Sequence, residues 1–263
     1  MKRLNKKKGH LSYDIMGDII ILNNKISKKE AEALLKERKN AKTILYKTKM
    51  HSGKYRTRKL SVITGVKNKT ALYKENGCLF KLNVETCYFS SRLSNERLRI
   101  AKQVKHGEKI LVMFSGVSPY SIVIAKNSKA NEIVGIEWNP KAHEFALENI
   151  KLNKVQDRVE AYCGDVRKVV IKLKKKFDRI IMPLPRDADD FLDVALKVLN
   201  KKGIIHFYDF EKEEDISSKA IEKIKKYCEP KILNVIKTGK YSPRKYRICV
   251  DFCVKKLNKK KKV

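Results

Sequence analysis

Apolar positions fall into two regimes along the 263 residues. From Lys109 onward, short apolar runs alternate with stretches of helical period. KILVMF (109–114) precedes PYSIVIAKNS (119–128), EIVGIE (132–137) precedes PKAHEFALENIKLN (140–153), and VEAYCGD (159–165) precedes VRKVVIKL (166–173). FDRIIM (177–182) with DADDFLDVALKVLN (187–200), then GIIHFYDF (203–210) with ISSKAIEKIKKYC (216–228), continue the alternation. Runs too short for helices, each followed by an amphipathic segment, predict βαβ units and a mainly parallel sheet. Two closing runs, ILNVIKTGKY (232–241) and KYRICVDFCV (245–254), predict a hairpin-like pair.

The front of the chain is mixed. DIIIL (18–22), AKTILYK (41–47) and LFKLNVETCYF (79–89) predict strands. SKKEAEALLKER (27–38) predicts a helix with Ser27 as N-cap and Glu30 three residues on, the signature of a capping box. The pattern divides the chain into a small basic α+β domain over 1–88, expected to bind RNA, a linker helix over 89–105 built on SSRLSNERLRIAKQV (90–104), an α/β domain over 106–256 and a Lys-rich tail over 257–263. No internal repeat is visible.

Charge changes the picture. The formal net charge is +33, an excess that points to a polyanionic partner, most simply nucleic acid, because clustered Lys and Arg displace counterions from phosphates. A solvated surface accounts for only part of it. Hydrophobic content of 42% supports a core and excludes a disordered chain. No apolar run reaches the length of a membrane span, and no apolar segment follows the basic start MKRLNKKKGH. A soluble, cytoplasmic, monomeric protein is expected. The six cysteines form no CxxC pair, so no metal site is expected, and most sit in apolar runs as small core residues.

Ligands of such sheets sit at the carboxyl ends of the strands. After the first run comes FSGVSPYS (114–121). Gly116 permits close backbone approach, and Pro119 suits a first helical turn. This is not the dinucleotide fingerprint, and alone it is a weak signal. Glu137 follows the second run and could accept from both ribose hydroxyls, or could serve the macrodipole of the next helix. Asp165, in GDVR, could accept from an adenine amino group or cap a helix. Each cap reading stands level with the functional one, yet the three in order outline a nucleoside pocket. The fourth run ends in Pro183-Leu184-Pro185, a rigid corner poor in donors. It could wall a slot for a flat base, or merely start a helix.

Several longer stretches share one resemblance. YFSSRLSNERLRIAKQVKHGEKILVMFSGVSPYSIVIAK, VGIEWNPKAHEFALENIKLNKV and GDVRKV resemble the archaeal and eukaryotic tRNA (guanine-37-N1)-methyltransferases, and DIMGDIIIL, KYRTRKL and ENGCLFKLNVETCYFS resemble that family's small middle domain. The resemblance covers roughly residues 14 to 255. It implies a Rossmann-like class I methyltransferase domain, S-adenosylmethionine as cofactor and tRNA as partner, without the further domain that precedes the middle domain in many archaeal members. Tyr88, Phe114, Gly116, Pro119, Pro140 and Pro185 match positions of the cofactor pocket, Glu137 the ribose acid and Asp165 the adenine-side acid. Glu96 matches the general base for guanine N1, and Arg56 the arginine that supports charge on O6. Arg56, Arg58, Lys59 and Arg97 are expected to contact RNA.

Three departures stand out. Pro183 replaces the asparagine of the usual Asn-Leu-Pro and is carried as a catalytic-site position, Val112 replaces an acid in the first strand, and Ser118 replaces the second loop glycine. Methylation of guanine N1 at position 37 is the expected reaction. A wybutosine-pathway paralogue that transfers an aminocarboxypropyl group, and a non-catalytic RNA-binding module, are the alternatives.

Overall fold

A computed structural model describes residues 11–184 and 188–258, with the side chains of 50–52 left aside. The described chain groups into two compact units. The first runs to Lys74 and resumes over Phe80–Tyr88; the second holds Glu75–Leu79 and everything from Phe89 onward.

In the first unit, strands β1 (Tyr13–Met16) and β2 (Ile19–Leu22) form an antiparallel pair. Helix α1 (Lys28–Glu37) then crosses to β3 (Thr43–Ser52), which runs parallel to β2 and turns into antiparallel β4 (Thr57–Gly65). The expected capping box is present: the Glu30 amide donates to Ser27 Oγ at 3.2 Å and the Ser27 amide to Glu30 Oε2 at 2.9 Å. Ala31 of α1 packs with Ile20, Leu22 and Ile44. HSGKYRTRKL, read from sequence only as a basic stretch, is the β3–β4 turn and the start of β4.

A hairpin follows, β5 (Thr70–Glu75) and β6 (Cys78–Asn83). The strand expected over 79–89 stops at Asn83. The Asn83 Oδ1 accepts the amides of Glu85 at 3.0 Å and Thr86 at 3.1 Å, which turns the backbone out of the extended state.

The second unit is an α/β layer structure. Helix α2 (Ser94–Gln103) leads to β7 (Lys109–Met113), α3 (Pro119–Asn127), β8 (Glu132–Glu137), α4 (Pro140–Leu152), β9 (Val159–Cys163), α5 (Val166–Lys172) and β10 (Phe177–Met182). Helix α6 (Leu192–Val198), β11 (Leu199–Lys212), α7 (Ser218–Lys225), β12 (Cys228–Ser242) and β13 (Lys245–Leu257) complete it. The seven-stranded sheet has the order β12-β13-β11-β10-β7-β8-β9. Strands β7 to β11 are mutually parallel, while β13 pairs antiparallel with both β11 and β12. The order reverses between β7 and β10, the point where a crevice opens at strand carboxyl ends.

One face of this sheet is a dry core. Leu111, Met113, Ile180, Met182, Ile205 and Phe207 pack against Val170 of α5, Leu192 of α6 and Ile224 of α7. Each such buried side chain contributes about 1.5–3 kcal/mol relative to exposure. The other face is polar in places. Arg179, His206, Tyr208, Cys249 and Asp251, at alternating positions of β10, β11 and β13, are all buried. Four cysteines, Cys78, Cys87, Cys228 and Cys249, are buried; Cys163 is exposed. Among the described residues no helix is long and apolar enough to cross a membrane.

Candidate active site

The carboxyl ends of β7, β8, β9 and β10 line one rim. After β7 the backbone enters the left-handed region three times within five residues, at Phe114 (φ 57°), Gly116 (φ 58°) and Ser118 (φ 63°). Gly116 does so freely; the other two store about 1–3 kcal/mol each, a cost typical of ligand-holding loops. The winding aims the Gly116 amide at Glu137 Oε2, 2.6 Å away. The Asn139 amide donates to Oε1 of the same carboxylate at 2.7 Å. Glu137 is therefore fixed by backbone from two loops. Burial raises its pKa, and the amides of Asn139, Gly116 and Trp138 oppose that rise without cancelling it.

Pro119 and Pro140 both occupy first-turn positions of their helices, α3 and α4. Asp165 caps α5, its Oδ1 accepting from the Arg167 amide at 2.8 Å. The cap uses one oxygen and leaves Oδ2 unbonded among the described residues, so the cap and ligand readings are compatible. Phe114 meets Phe191 edge-on at 4.8 Å, and the Arg167 guanidinium lies 3.8 Å from the Phe191 centroid. Under the loop, the hydroxyls of Ser115, Ser118 and Ser121 are buried without partners. Gly135 allows this crowding, since a Cβ there would come within 3.1 Å of Ser115. Pro183 and Leu184 leave β10 half-buried at the same rim. Pro185 lies outside the described residues.

Glu96 belongs to a second set of groups on the polar sheet face. It is buried on α2. Arg99, one turn on, grips it through two hydrogen bonds of 2.7 Å, from Nε to Oε2 and from a terminal nitrogen to Oε1. The Tyr208 hydroxyl donates to Oε1 at 2.5 Å, and the Tyr120 hydroxyl of α3 lies 3.1 Å from that of Tyr208. Burial raises the pKa of both tyrosines, so both remain donors. Oε1 is thus saturated by two bonds, while Oε2 keeps one lone pair. Because α3 starts at the glycine loop, this chain of hydroxyls connects Glu96 to the rim.

Behind Arg99 the network continues. Arg99 donates to Asp251 Oδ2 at 2.6 Å, His206 Nδ1 lies 2.6 Å from Asp251 Oδ1, and Arg179 lies 2.7 Å from His206 Nε2. Arg179 also clamps Glu108. Burial opposes ionisation of Asp251, but His206 and Arg99 outweigh it and hold the carboxyl well below the usual range. Burial lowers the pKa of His206 despite Asp251, so the ring is neutral, with the proton on Nδ1 and Nε2 accepting from Arg179. The ligand atoms of His206, Cys249 and Asp251 lie within 4.8 Å of one another. Two guanidiniums already bind the ring and the carboxylate, so this cluster is a hydrogen-bonded network in chemistry as well as position.

Among the expected RNA contacts, Arg97 requires correction. It is 1% exposed and paired with Glu75 through bonds of 2.5 and 2.6 Å. A guanidinium so enclosed cannot reach phosphate. Arg56, Arg58 and Lys59 lie in the first unit. Lys59 is exposed, whereas Arg58 is half-buried and donates to the Val84 carbonyl at 3.2 Å. Arg56 adopts φ 51° in the β3–β4 turn, with its guanidinium 5.7 Å from the ring of Tyr88. Sequence reading missed Arg99, Tyr120, Tyr208, His206 and Asp251. For His206, Tyr208 and Asp251 the available signal was the period-two spacing of polar residues in HFYDF and RICVDF; Arg99 and Tyr120, on helices α2 and α3, carried none.

A parallel sheet with a left-handed loop after its first strand and an acid after its second defines a class I methyltransferase fold. Residues 71–236 match the TRM5/TYW2 methyltransferase domain, and residues 3–69 match the TYW2 N-terminal domain. The chain belongs to the TRM5/TYW2 family of S-adenosylmethionine-dependent methyltransferases. It is 38% identical over 253 residues to the tRNA (guanine(37)-N(1))-methyltransferase Trm5b of Pyrococcus abyssi, covering 92% of this chain and 74% of that one. It is 33% identical to the tRNA(Phe) (4-demethylwyosine(37)-C(7)) aminocarboxypropyltransferase of Methanocaldococcus jannaschii, covering 92% and 97%. Among solved structures, the complex of aTrm5 and tRNALeu superposes with a TM-score of 0.83 at 34% identity over 93% of this chain and 72% of that one. M. jannaschii TYW2 with AdoMet superposes with 0.72 at 29% identity over 92% and 98%.

Proposed function

We propose that this protein methylates N1 of guanine at position 37 of tRNA. The observation that carries the reading is the Glu96 carboxylate, clamped by Arg99 and Tyr208 with one Oε2 lone pair left. Guanine N1 bears a proton, so it becomes nucleophilic only as that proton leaves. Glu96 Oε2 takes it, held in place by a carboxylate grip that needs no reorganisation. The electron pair released moves toward O6, and the resemblance gives the balancing guanidinium to Arg56.

The cofactor site fits its ligand by donor set. Glu137, fixed by two amides, offers acceptors for a ribose diol, and Asp165 Oδ2 offers one for an amino group. Phe114, Gly116, Pro119 and Pro140 shape the remaining wall. S-adenosylmethionine, when bound, supplies an electrophilic methyl group. Pro183 has no side-chain amide, so acceptors at that corner are backbone carbonyls. tRNA is attracted by the basic surface, with Arg56, Arg58 and Lys59 contributing to phosphate binding.

A second reading has its own support. Residues 3–69 match the TYW2 N-terminal domain, and Pro183 departs from the methyltransferase pattern. Under that reading the group transferred is aminocarboxypropyl. One experiment decides. Unmodified tRNA, and in parallel tRNA carrying 4-demethylwyosine at position 37, is incubated with S-adenosylmethionine labelled in the methyl group or in the carboxyl carbon, and nucleosides are mapped by mass. Methyl label in 1-methylguanosine at position 37 is expected; carboxyl label in the RNA would establish the second reading.

A further inference from the structure

Tyr208, the partner of Glu96, is followed two residues later by Phe210, on the same face of β11 and about 7 Å further along. In the antiparallel register Tyr208 lies opposite Cys249 and Phe210 opposite Arg247. On its other side Arg247 faces Gly239 of β12, where a Cβ would meet nothing within 4 Å. The register shifts between Lys237 and Gly239 and again between Lys240 and Ser242, so β12 carries bulges around Thr238 and Tyr241. Bulges re-aim side chains, and here the Tyr241 ring lies 4.2 Å from that of Phe210 at 39°. Arg247 sits 5.3 Å from the Phe210 centroid and Lys245 6.0 Å from that of Tyr241. Tyr241 is 48% exposed.

An aromatic pair that only closed a hairpin would gain from full burial. This one is half open and is bordered by two cations at the strand end that leads away from Glu96. We propose that Phe210 and Tyr241 form a stacking platform for the base next to the target nucleotide, with Arg247 and Lys245 serving its phosphate. Single-stranded RNA is the chemistry that fits: every base has a π-face to stack, and flanking cations hold the backbone. Two residues of strand separate the platform from Tyr208, so a base delivered to Glu96 brings its neighbour over Tyr241. The inference rests on the reading of Glu96 as the group that meets the target base. Nothing in it requires methyl to be the group transferred.

The test uses the full chain and an anticodon stem-loop RNA carrying 2-aminopurine on one or the other side of the target guanine. Binding of the parent should quench one of the two probes, as stacking on an aromatic ring does. Tyr241→Ala should abolish that quenching and weaken RNA binding about five- to a hundred-fold, whereas Tyr241→Phe should retain both. Tyr241→Leu preserves apolar contact with Phe210 and should behave like Tyr241→Ala, which separates lost stacking from a collapsed hairpin. S-adenosylmethionine affinity by calorimetry should be unchanged in all three. Parent-like quenching and affinity in Tyr241→Ala, or a parent that quenches neither probe, would overturn the proposal. Quenching that depends on Tyr241 in an enzyme that does not methylate guanine overturns the proposed reaction and leaves the platform standing.

Discussion

The Tyr208 hydroxyl donates to Glu96 Oε1 at 2.5 Å. The bond fixes which carboxylate oxygen can act. Oε1 also accepts from Arg99, so only Oε2 has capacity for an incoming proton. Glu96→Gln keeps the shape and removes the base, and should slow single-turnover methyl transfer to tRNA roughly a hundredfold or more. Tyr208→Phe removes one hydrogen bond to a charged group, costing about 1.5–3 kcal/mol of stability, but leaves the Oε2 acceptor in place. Its chemical step should fall far less than that of Glu96→Gln. Equal losses in the two variants would mean that the hydroxyl, rather than the carboxylate, touches the substrate.

The buried His206–Asp251 pair predicts how acid unfolds the protein. Asp251 has a depressed pKa in the fold, so its stabilisation is present above the unfolded value of about 3.9 and is lost as pH falls through the folded value. His206 is held neutral, so below about pH 6.5 the unfolded chain takes up its proton first and stability again falls. Both effects have the same sign. Urea midpoints should decline from about pH 6.5 downward and more steeply below about pH 4. His206→Asn should flatten the upper part of that decline. A variant with an unaltered pH profile would remove His206 from the acid transition.

These two predictions show what was legible in the sequence. Elements with a local cause could be read directly: the Ser27–Glu30 box, Pro119 and Pro140 at helix starts, and the alternation of strands and helices that gives the parallel sheet. The rim acids Glu137 and Asp165 were legible because each stands at a strand end. The network around Glu96 was not. Arg99 is one helical turn from Glu96, but Asp251 is 152 residues from Arg99, and nothing local indicates that β13 lies beside β11. Arg97 was misread for the same reason. Its partner Glu75 belongs to a strand of a separate hairpin, so SNERLR looks uniformly like a charged helix surface.

Glu137 predicts a pH dependence of cofactor binding. Burial raises its pKa in the free protein, so it takes up a proton at higher pH than an ordinary carboxylate. Affinity for S-adenosylmethionine should therefore begin to fall while ordinary carboxylates remain ionised. Glu137→Ala should weaken binding by about 1–3 kcal/mol at neutral pH, as loss of a charge-assisted acceptor does, and should remove the acid-side decline. Calorimetric titration across pH checks both. Undiminished affinity in Glu137→Ala would take the residue out of the cofactor site.

Two cations from the same expected RNA-binding group should now separate cleanly. Lys59 is exposed on β4 and Arg97 is enclosed with Glu75. Lys59→Ala should leave the melting temperature nearly unchanged and reduce the slope of log affinity for tRNA against log salt by up to about 1, one released counterion. Arg97→Ala strands the Glu75 carboxylate in the interior and should cost about 3–5 kcal/mol of folding stability. At temperatures where the variant stays folded, its salt slope should equal the parent's, because an enclosed guanidinium releases no counterion. Denaturant unfolding and filter binding at several salt concentrations provide the two readouts. A reduced slope in Arg97→Ala with parent-like stability would mean that the Glu75–Arg97 pair opens to meet RNA.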